Sequence, residues 1–528
     1  MTYLTRSLAI GCSLLALSAC GPDEIASPGT GGNITINNPA PTPAPSPAPT
    51  PAPTAPALVQ PASGCPTIAD AAGLADDGVI TGPTGTYRVC TMPARFTRSA
   101  TLPNLRGVLY RMNGRVDVGT DGGPTASAAD TNVVLTIDPG AIVFASGASF
   151  LNVNRGNRIN AVGTAQRPII FTSRDNVLGL NSDTSSGQWG GVVLSGRAQV
   201  TDCAAPAATP GTVACERQVE GAATPAFFGG VTNNDNSGRL SYVQIRYSGF
   251  VLSGNSELQS LTTGGTGSGT QMDHIMSFNS SDDGVEFFGG YVNMKHLIVV
   301  GPEDDALDVD TGVKANLQYV IVAQNTNTHD TILEGDSDNL RDSTPRTNAR
   351  IANFTFIAGA PAADGQAMLR LRGGADFAFV NGLLVSRNDE CLRVQHAETI
   401  AAANAGTDEA GPPIFRSVAF QCGGASPFIG TNDVTAAQVQ GIFTSGPNNN
   451  ANYTSTLTNL FVNGANESAL VASNPQALSS FFDTTNYVGA VRDASDTWYA
   501  GWTCNSATAS FGANNSGACT SLPVYPAT

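Results

Sequence analysis

The sequence predicts an all-β solenoid: a parallel β-helix of about 22 residues per coil, standing on a proline-rich tether. Composition points there first. Glycine is abundant (58 residues) and charged residues are scarce, at 13% of 528, a profile that suits short strands joined by many turns. From about residue 130 the chain alternates β-branched and aromatic runs with Gly, Asn and Asp turns, as in Val133-Val134-Leu135-Thr136-Ile137, Pro168-Ile169-Ile170-Phe171, Gly191-Val192-Val193-Leu194 and Tyr242-Val243-Gln244-Ile245. No sustained helical apolar stripe appears. The deciding feature is an ungapped repeat. His274-Ile275-Met276 and Asp282-Asp283-Gly284-Val285-Glu286 recur 22 residues later as His296-Leu297-Ile298 and Asp304-Asp305-Ala306-Leu307-Asp308, and a further step of the same size takes Asp308 to Asp330. A period of roughly 20 to 30 residues built from strands and turns marks stacked coils. Leucine-rich repeats would need a Leu and Asn consensus that the chain lacks.

The elements follow in order. Arg6 and the apolar run Leu8 to Leu17 read as a targeting segment, too short to span a bilayer. Leu17-Ser18-Ala19-Cys20 resembles the lipobox of bacterial lipoproteins. That resemblance implies a signal peptide over residues 1–19, acylation (palmitate included) of Cys20 as the membrane anchor, and sorting to the outer membrane, because Gly21 rather than Asp follows the cysteine. Residues 20–64 form a tether whose Ala/Pro/Thr tract, from Pro39 to about Pro56, favours extended polyproline II. Residues 65–130 are expected as an N-terminal cap region, 131–480 as the β-helix and 481–528 as a C-terminal cap segment.

The net charge of −16 and pI of about 4.6 argue against a nucleic-acid partner and are compatible with divalent cations. Setting aside Cys12 and Cys20 leaves eight cysteines, an even number that reads as disulfides in an exported chain. Of the many connectivities the sequence allows, pairing in sequence order is expected: Cys65–Cys90, Cys203–Cys215, Cys391–Cys422 and Cys504–Cys519. No pair has zinc-type spacing.

Strand alternation places Val285, Phe287, Leu307 and Val309 inward and Glu286, Asp308 and Asp310 outward. In the same frame Leu369, Leu371, Leu392 and Val394 point in, while Arg370, Arg372 and Arg393 point out, so one outer face runs from acidic to basic. Asp282, Asp283, Asp304 and Asp305 should stack on adjacent coils, roughly 4.8 Å apart. Close carboxylates repel unless protonated or bridged by a cation, and calcium, which takes about six to eight oxygen ligands, would suit such a ledge. Turn formation by Asp-Asp-Gly and Glu-Asp-Asp accounts for the same residues, and no EF-hand or nonapeptide calcium loop is present. As a catalytic alternative, Asp283 and Asp305 could act as a glycosidase pair. A lyase would add a proton-abstracting base, with Arg393, Arg370 and Arg372 as candidates expected several coils from the ledge. A solvated charged face explains them as well. His274 and His296 should stack one coil apart. His329 beside Asp330 and Glu334 is a further metal candidate. Trp189, Trp498, Trp502, Phe287, Phe288 and Tyr291 are either sugar platforms or core.

Several segments together resemble a known family: Leu135-Thr136-Ile137-Asp138-Pro139-Gly140, Ile159-Asn160-Ala161-Val162-Gly163-Thr164, Pro168-Ile169-Ile170-Phe171-Thr172-Ser173, Gln188-Trp189-Gly190-Gly191, Glu286-Phe287-Phe288-Gly289-Gly290, and Tyr487-Val488-Gly489-Ala490 with Trp498 and Gly501-Trp502-Thr503. Over about residues 85 to 505 the chain resembles secreted and lipid-anchored right-handed parallel β-helix proteins of Bacteroidota and Proteobacteria, often found beside TonB-dependent receptors. The resemblance implies a pectate-lyase-like fold and a surface uptake role, with no activity assigned to most members. The Gly-His-Gly and Arg-x-Lys elements shared by β-helix hydrolases are absent. The expected function is therefore a non-enzymatic surface binding or scaffold protein, working with a TonB-dependent receptor on a glycan or other nutrient. The alternatives are a calcium-dependent polysaccharide lyase or glycoside hydrolase, and a structural or adhesion spacer.

Overall fold

The computed structural model describes residues 58–525 apart from 254–255, 326–329, 338–340, 360–366 and 425; the signal segment, Cys20, most of the tether and His329 lie outside the described residues. The chain alternates between two sheets. Gln271–Phe278 enters a long-stranded sheet, Val285–Phe288 a narrow one, Tyr291–Val300 the long sheet again, then Leu307–Asp310 the narrow sheet and Lys314–Ala323 the long one. Each circuit adds one parallel strand to each sheet, and this is a parallel β-helix. Stacking puts like residues over like: Leu261, Val285, Leu307, Leu333, Leu369 and Leu392 are register partners in the narrow sheet, and all are buried in one continuous core. Burial on the inner face is what makes the register hard to shift, since a one-residue slip would turn every apolar side chain outward.

The long strands are bent. Tyr242, His274, His296, Tyr319, Asn353, Asn381 and Ser417 all take the left-handed backbone conformation, with φ between 49° and 62°, and each interrupts its strand's ladder at the same place. Left-handed geometry costs a non-glycine residue roughly 1–2 kcal/mol. The stack of side chains offsets that cost. Tyr242, His274, His296 and Tyr319 lie ring on ring at centroid distances of 4.2, 4.2 and 4.9 Å. Asn353 and Asn381 donate to the carbonyls of Tyr487 and Ser473. The repeated histidines are therefore corner residues. Burial, with His274 alongside, pushes the His296 imidazole down to about 3, so it sits neutral in the stack.

The limits of the helix differ from those expected. Parallel stacking already operates within residues 65–130, where Gly85–Thr91 pairs with Val108–Arg111 and Arg95–Phe96 with Val116–Val118. The antiparallel strand Ala75–Gly82 closes that end. At the other end the helix Ala436–Ser445, with a Thr435/Gln438 capping box, lays Phe443 4.1 Å from Phe420 and 5.5 Å from Phe428. Residues 481–528 do not cap that end, because the exposed apolar surface lies elsewhere. The chain after the helix runs back outside the long sheet as a strap. Phe461, Val462, Ala490, Val491 and Trp502 pack on Met276, Ile298 and Ile321; Asn176 donates to the Cys519 carbonyl at 3.1 Å; Leu522 reaches Tyr87 and Leu109 near the opposite end. Insertions in the turns lengthen some coils, so Asp330 stacks on Asp304 and the register partner of Asp308 is Glu334.

Four disulfides join Cys65–Cys90, Cys203–Cys215, Cys391–Cys422 and Cys504–Cys519. The loops they close are short, spanning 12 to 31 residues, so each pins a turn, a terminal segment or the strap locally.

Trp502 is fully buried and donates its indole N–H to the Trp498 carbonyl at 2.9 Å. Trp502→Ala is expected to cost about 3–5 kcal/mol in urea denaturation and to speed amide exchange across the strap. A cost below about 1 kcal/mol would show that the strap is not a cooperative part of the fold.

Candidate functional site

In each central coil the turn entering the narrow sheet carries adjacent acidic residues, and parallel stacking aligns them. The inner members knit the turns together. Asp283 accepts the Asp305 backbone N–H at 3.0 Å, and Asp305 accepts the backbone N–H and hydroxyl of Thr331 at 2.7 and 2.6 Å. Turn formation thus accounts for one oxygen of each. The remaining oxygens, with those of Asp282, Asp304 and Asp330, face a shared ledge. Just downstream, the outward strand positions add Glu286, Asp308 and Glu334 as register partners, then Asp310 beside Phe288.

Three sets of carboxylates converge: Asp282, Asp283 and Asp304; Asp283, Glu286 and Asp308; Asp304, Asp305 and Asp330. In each set the donor oxygens lie within 4.8 Å of one another. The four aspartates singled out from sequence are all here, and the structure adds Glu286, Asp308 and Asp330. The first two were placed outward by alternation, but their offset from each Asp-Asp pair is what carries them to the same ledge.

The arginines lie beyond the aspartates along the axis, Arg370 two rungs and Arg393 three rungs from Asp308. Arg370 is the register partner of Glu334, and Arg393 that of Arg370. Glu334 accepts from Arg370 at 2.6 Å and Arg372 at 2.5 Å, and Arg372 also pairs with Asp336 at 2.5 Å. The cause is coil stacking: turns of different length still place the next strand one rung away. Direct pairing with arginine among the described residues stops at that point, though Arg372 still acts on Asp308 from a distance. Glu286 Oε2 and Asp308 Oδ1 are buried with no hydrogen-bond partner among the described residues, and Glu286 is only 6% exposed. An unpaired buried carboxylate oxygen is costly.

Burial and mutual repulsion act together on the cluster. Burial, then Asp282, raises the Asp283 carboxyl well above its usual range; burial, then Asp308, does the same to Glu286. Asp282 is pushed up to about 7 by burial with Asp304 and Glu257 nearby, and Asp304 to about 6 by burial with Asp330 and Glu334 nearby. Asp310 is raised to about 6 by burial and Asp336. Near neutral pH such a cluster holds protons or a cation. Its donors are all oxygens, a set that suits hard divalent ions and not zinc. A hairpin of Arg217–Gln218 and Phe227–Phe228 flanks the ledge, with the Arg217 guanidinium 4.8 Å over the Phe288 ring. Gly264 admits it: a Cβ there would meet the Phe228 ring at 2.5 Å.

Beside the ledge runs a groove of about 750 Å³. Asn279, Gly301, Asn325, Gly359, Arg387 and Gln421 line it, from the ends of six consecutive long-sheet strands, and Ser455, Leu457 and Ala507 of the strap form part of its wall. Five rungs give it a length of roughly 24 Å. Glu303, also in its lining, precedes Asp304 directly. Of the aromatic candidates only Phe288 lies at the ledge, and Tyr291 starts a strand of the long sheet. Trp189 and Trp502 are fully buried and Phe287 is core. Trp498 packs 4.9 Å from His296.

Ledge, groove and stacked coils define an acidic-faced parallel β-helix domain. The chain belongs to the family of pectate-lyase-like β-helix domains, whose family model matches residues 125–503. No curated protein and no solved structure matches it.

Raised carboxyls bind protons in the fold that the unfolded chain has already released. Without metal, the contribution of these carboxyls to stability is therefore fully present below about pH 4 and is lost as pH rises through the raised values, about 6 for Asp304 and Asp310 and about 7 for Asp282. A cation that replaces the protons reverses the trend. Melting in EDTA should show Tm falling between about pH 5 and 7.5, and Ca²⁺ or Mg²⁺ should raise Tm more at the higher pH. Asp283→Asn with Glu286→Gln should raise the EDTA Tm at pH 7.5 and abolish the ion's effect. A Tm indifferent to both ions at pH 7.5 would remove the cation reading.

Proposed function

We propose that the protein is a cell-envelope lipoprotein that binds a carboxylate-bearing glycan without cleaving it, using calcium held on the ledge to bridge protein and ligand acids. The observation that carries the reading is the pair of buried, unpartnered carboxylate oxygens on Glu286 and Asp308, next to a groove crossing six coils. Calcium fits the reading better than magnesium. The donors are many, come from different coils and differ in depth, and calcium accepts six to eight ligands in irregular geometry while magnesium demands a near-ideal octahedron. Acylation at Cys20 would hold the protein on the outer membrane, where it would pass ligand to a TonB-dependent receptor.

A calcium-dependent lyase or glycoside hydrolase of the same fold is the second reading, favoured by the family match and limited by fold alone being a poor guide to chemistry. The geometry supports binding better. Asp283 and Asp305, the glycosidase pair, are each only 5% exposed and bonded to the neighbouring turn. Arg370 and Arg372, two of the three candidate lyase bases, are tied to Glu334 and Asp336, and the third, Arg393, lies a further rung away as the register partner of Arg370. A paired guanidinium is a poorer proton acceptor still than a free one.

Electrophoresis through gels containing polyuronate should show retardation with Ca²⁺ that EDTA and Asp283→Asn with Glu286→Gln both reduce. No unsaturated or reducing-end product should accumulate. Product that appears with the wild type and disappears in Asp305→Ala would establish the enzymatic reading instead. Cys20→Ala should abolish fatty-acid labelling and move the protein from the membrane to the soluble fraction.

A further inference from the structure

The bend in the long strands divides their outer surface in two. The strap covers the half after the bend. The half before it carries a different pattern. Asn160, Arg239, Gln271, Asn293, Asn316 and Arg350 occupy one outward column, register partner to register partner, on six consecutive rungs. Every member offers an amide or a guanidinium. The column extends toward the N-terminal coils through Thr136. Alternation keeps Leu240, Met272, Met294, Leu317 and Ile351 beneath it in the core, so the column is rigidly based.

Two shallow depressions lie along this column. One, of about 330 Å³, is lined by Arg158, Asn160, Asn236, Arg239 and Gln271; the other, of about 290 Å³, by Tyr291, Asn293, Lys314, Asn316, Asn348 and Arg350. Part of the hydrogen-bonding capacity there is unused. Asn316 donates to Asn293 at 2.8 Å, but its own Oδ1 is buried with no partner among the described residues. Arg350 makes no ion pair or hydrogen bond with a described residue. The carboxylates of this face are already engaged: Asp273 with Ser241 at 2.6 Å, His274 at 2.7 Å and Arg239 at 3.7 Å, and Asp408 with Lys314 at 2.6 Å. On a chain of net charge −16, a face on which the Arg350 guanidinium is unpaired among the described residues and Arg239 is held only by a long 3.7 Å contact to Asp273 stands out.

We propose that this column is a second, calcium-independent binding face, and that its ligand is an extended polysaccharide bearing carboxylates. Rungs repeat at about 4.8 Å, near the length one sugar adds to an extended chain, so successive amides can meet successive hydroxyls. The guanidinium groups of Arg239 and Arg350 stand four rungs apart, roughly 19 Å, and match sparse carboxylates by bidentate pairing. A nucleic acid fits less well. Its dense phosphates would feel the repulsion of the whole acidic chain, and a phosphate backbone does not use a continuous amide ladder.

Because the face needs no metal, EDTA separates it from the ledge. The lipid-free secreted chain, in EDTA, is run through polygalacturonate gels and titrated by calorimetry with polygalacturonate oligomers. Retardation that persists in EDTA and falls about tenfold or more in affinity with Arg239→Ala and Arg350→Ala together supports the proposal. Asn293→Ala with Asn316→Ala, which leaves charge unchanged, should weaken binding as well, and far-UV dichroism with Tm checks that each variant is folded. Loss of all binding in EDTA would overturn it while leaving the ledge reading intact. Undiminished binding by folded variants would overturn it too, as would equal or tighter binding of single-stranded DNA of matched length.

Discussion

In-register stacking of parallel strands is the constraint on which everything else depends. Once consecutive coils are in register, whatever a sequence position carries is repeated about every 4.8 Å along the axis. Inside, this is favourable without qualification, and the column from Leu261 to Leu392 shows it. Outside, the same repetition brings together groups that would otherwise avoid each other. Asp282 over Asp304 over Asp330, and Glu286 over Asp308 over Glu334, follow from the register rather than from any mutual attraction. The core therefore supplies the free energy that holds a repulsive surface in place.

The chain relieves that repulsion in two ways. At Glu334 and Asp336 it does so with its own arginines, one rung further on. At Asp283, Glu286 and Asp308 no arginine among the described residues makes a direct contact, Arg372 acting on Asp308 only from a distance, and burial raises the cost of leaving those carboxylates ionised. The contrast between neighbouring rungs is more informative than the acidic residues themselves. Turn-forming aspartates are common, and Asp283 and Asp305 do tie turns together. Turn formation does not explain Glu286 or Asp308, which sit on strands and could be any polar residue.

Much of this was legible in the sequence, and the limits of legibility have physical reasons. The 22-residue repeat placed Asp282, Asp283, Asp304 and Asp305 together because two adjacent coils happen to have equal length. Alternation then gave the inward and outward faces. Sequence spacing failed where turns vary in length: Asp330 aligned with Asp304 rather than Asp308, and Arg370 came next to Glu334 across a 36-residue separation. Left-handed corners were equally hidden, since His274 and His296 repeat in sequence for a backbone reason that no propensity reveals. The return of the strap was invisible because its partners, such as Met276 and Ile298, looked like ordinary strand residues. Acylation at Cys20 rests on its local motif alone.

The strap also explains why the binding candidates lie where they do. A coil of this kind has apolar residues on both sides of the strand half after the bend: Leu297 and Val299 inward, Ile298 and Val300 outward. Such a surface needs a cover, and residues 461–511 provide it. The half before the bend alternates apolar with polar residues, and the strap reaches only its last outward position, where Phe482 meets Ala352 and Val380 and Asp483 meets Lys295 and Gln318. Covering one half raises a wall beside the turns, since Ser455, Leu457 and Ala507 line the groove next to the ledge. It leaves the amide column bare on the other side. Two outward surfaces thus follow from one division of the strand: where alternation lapses the chain covers itself and creates a groove, and where alternation holds the stacked polar side chains stay open to a ligand.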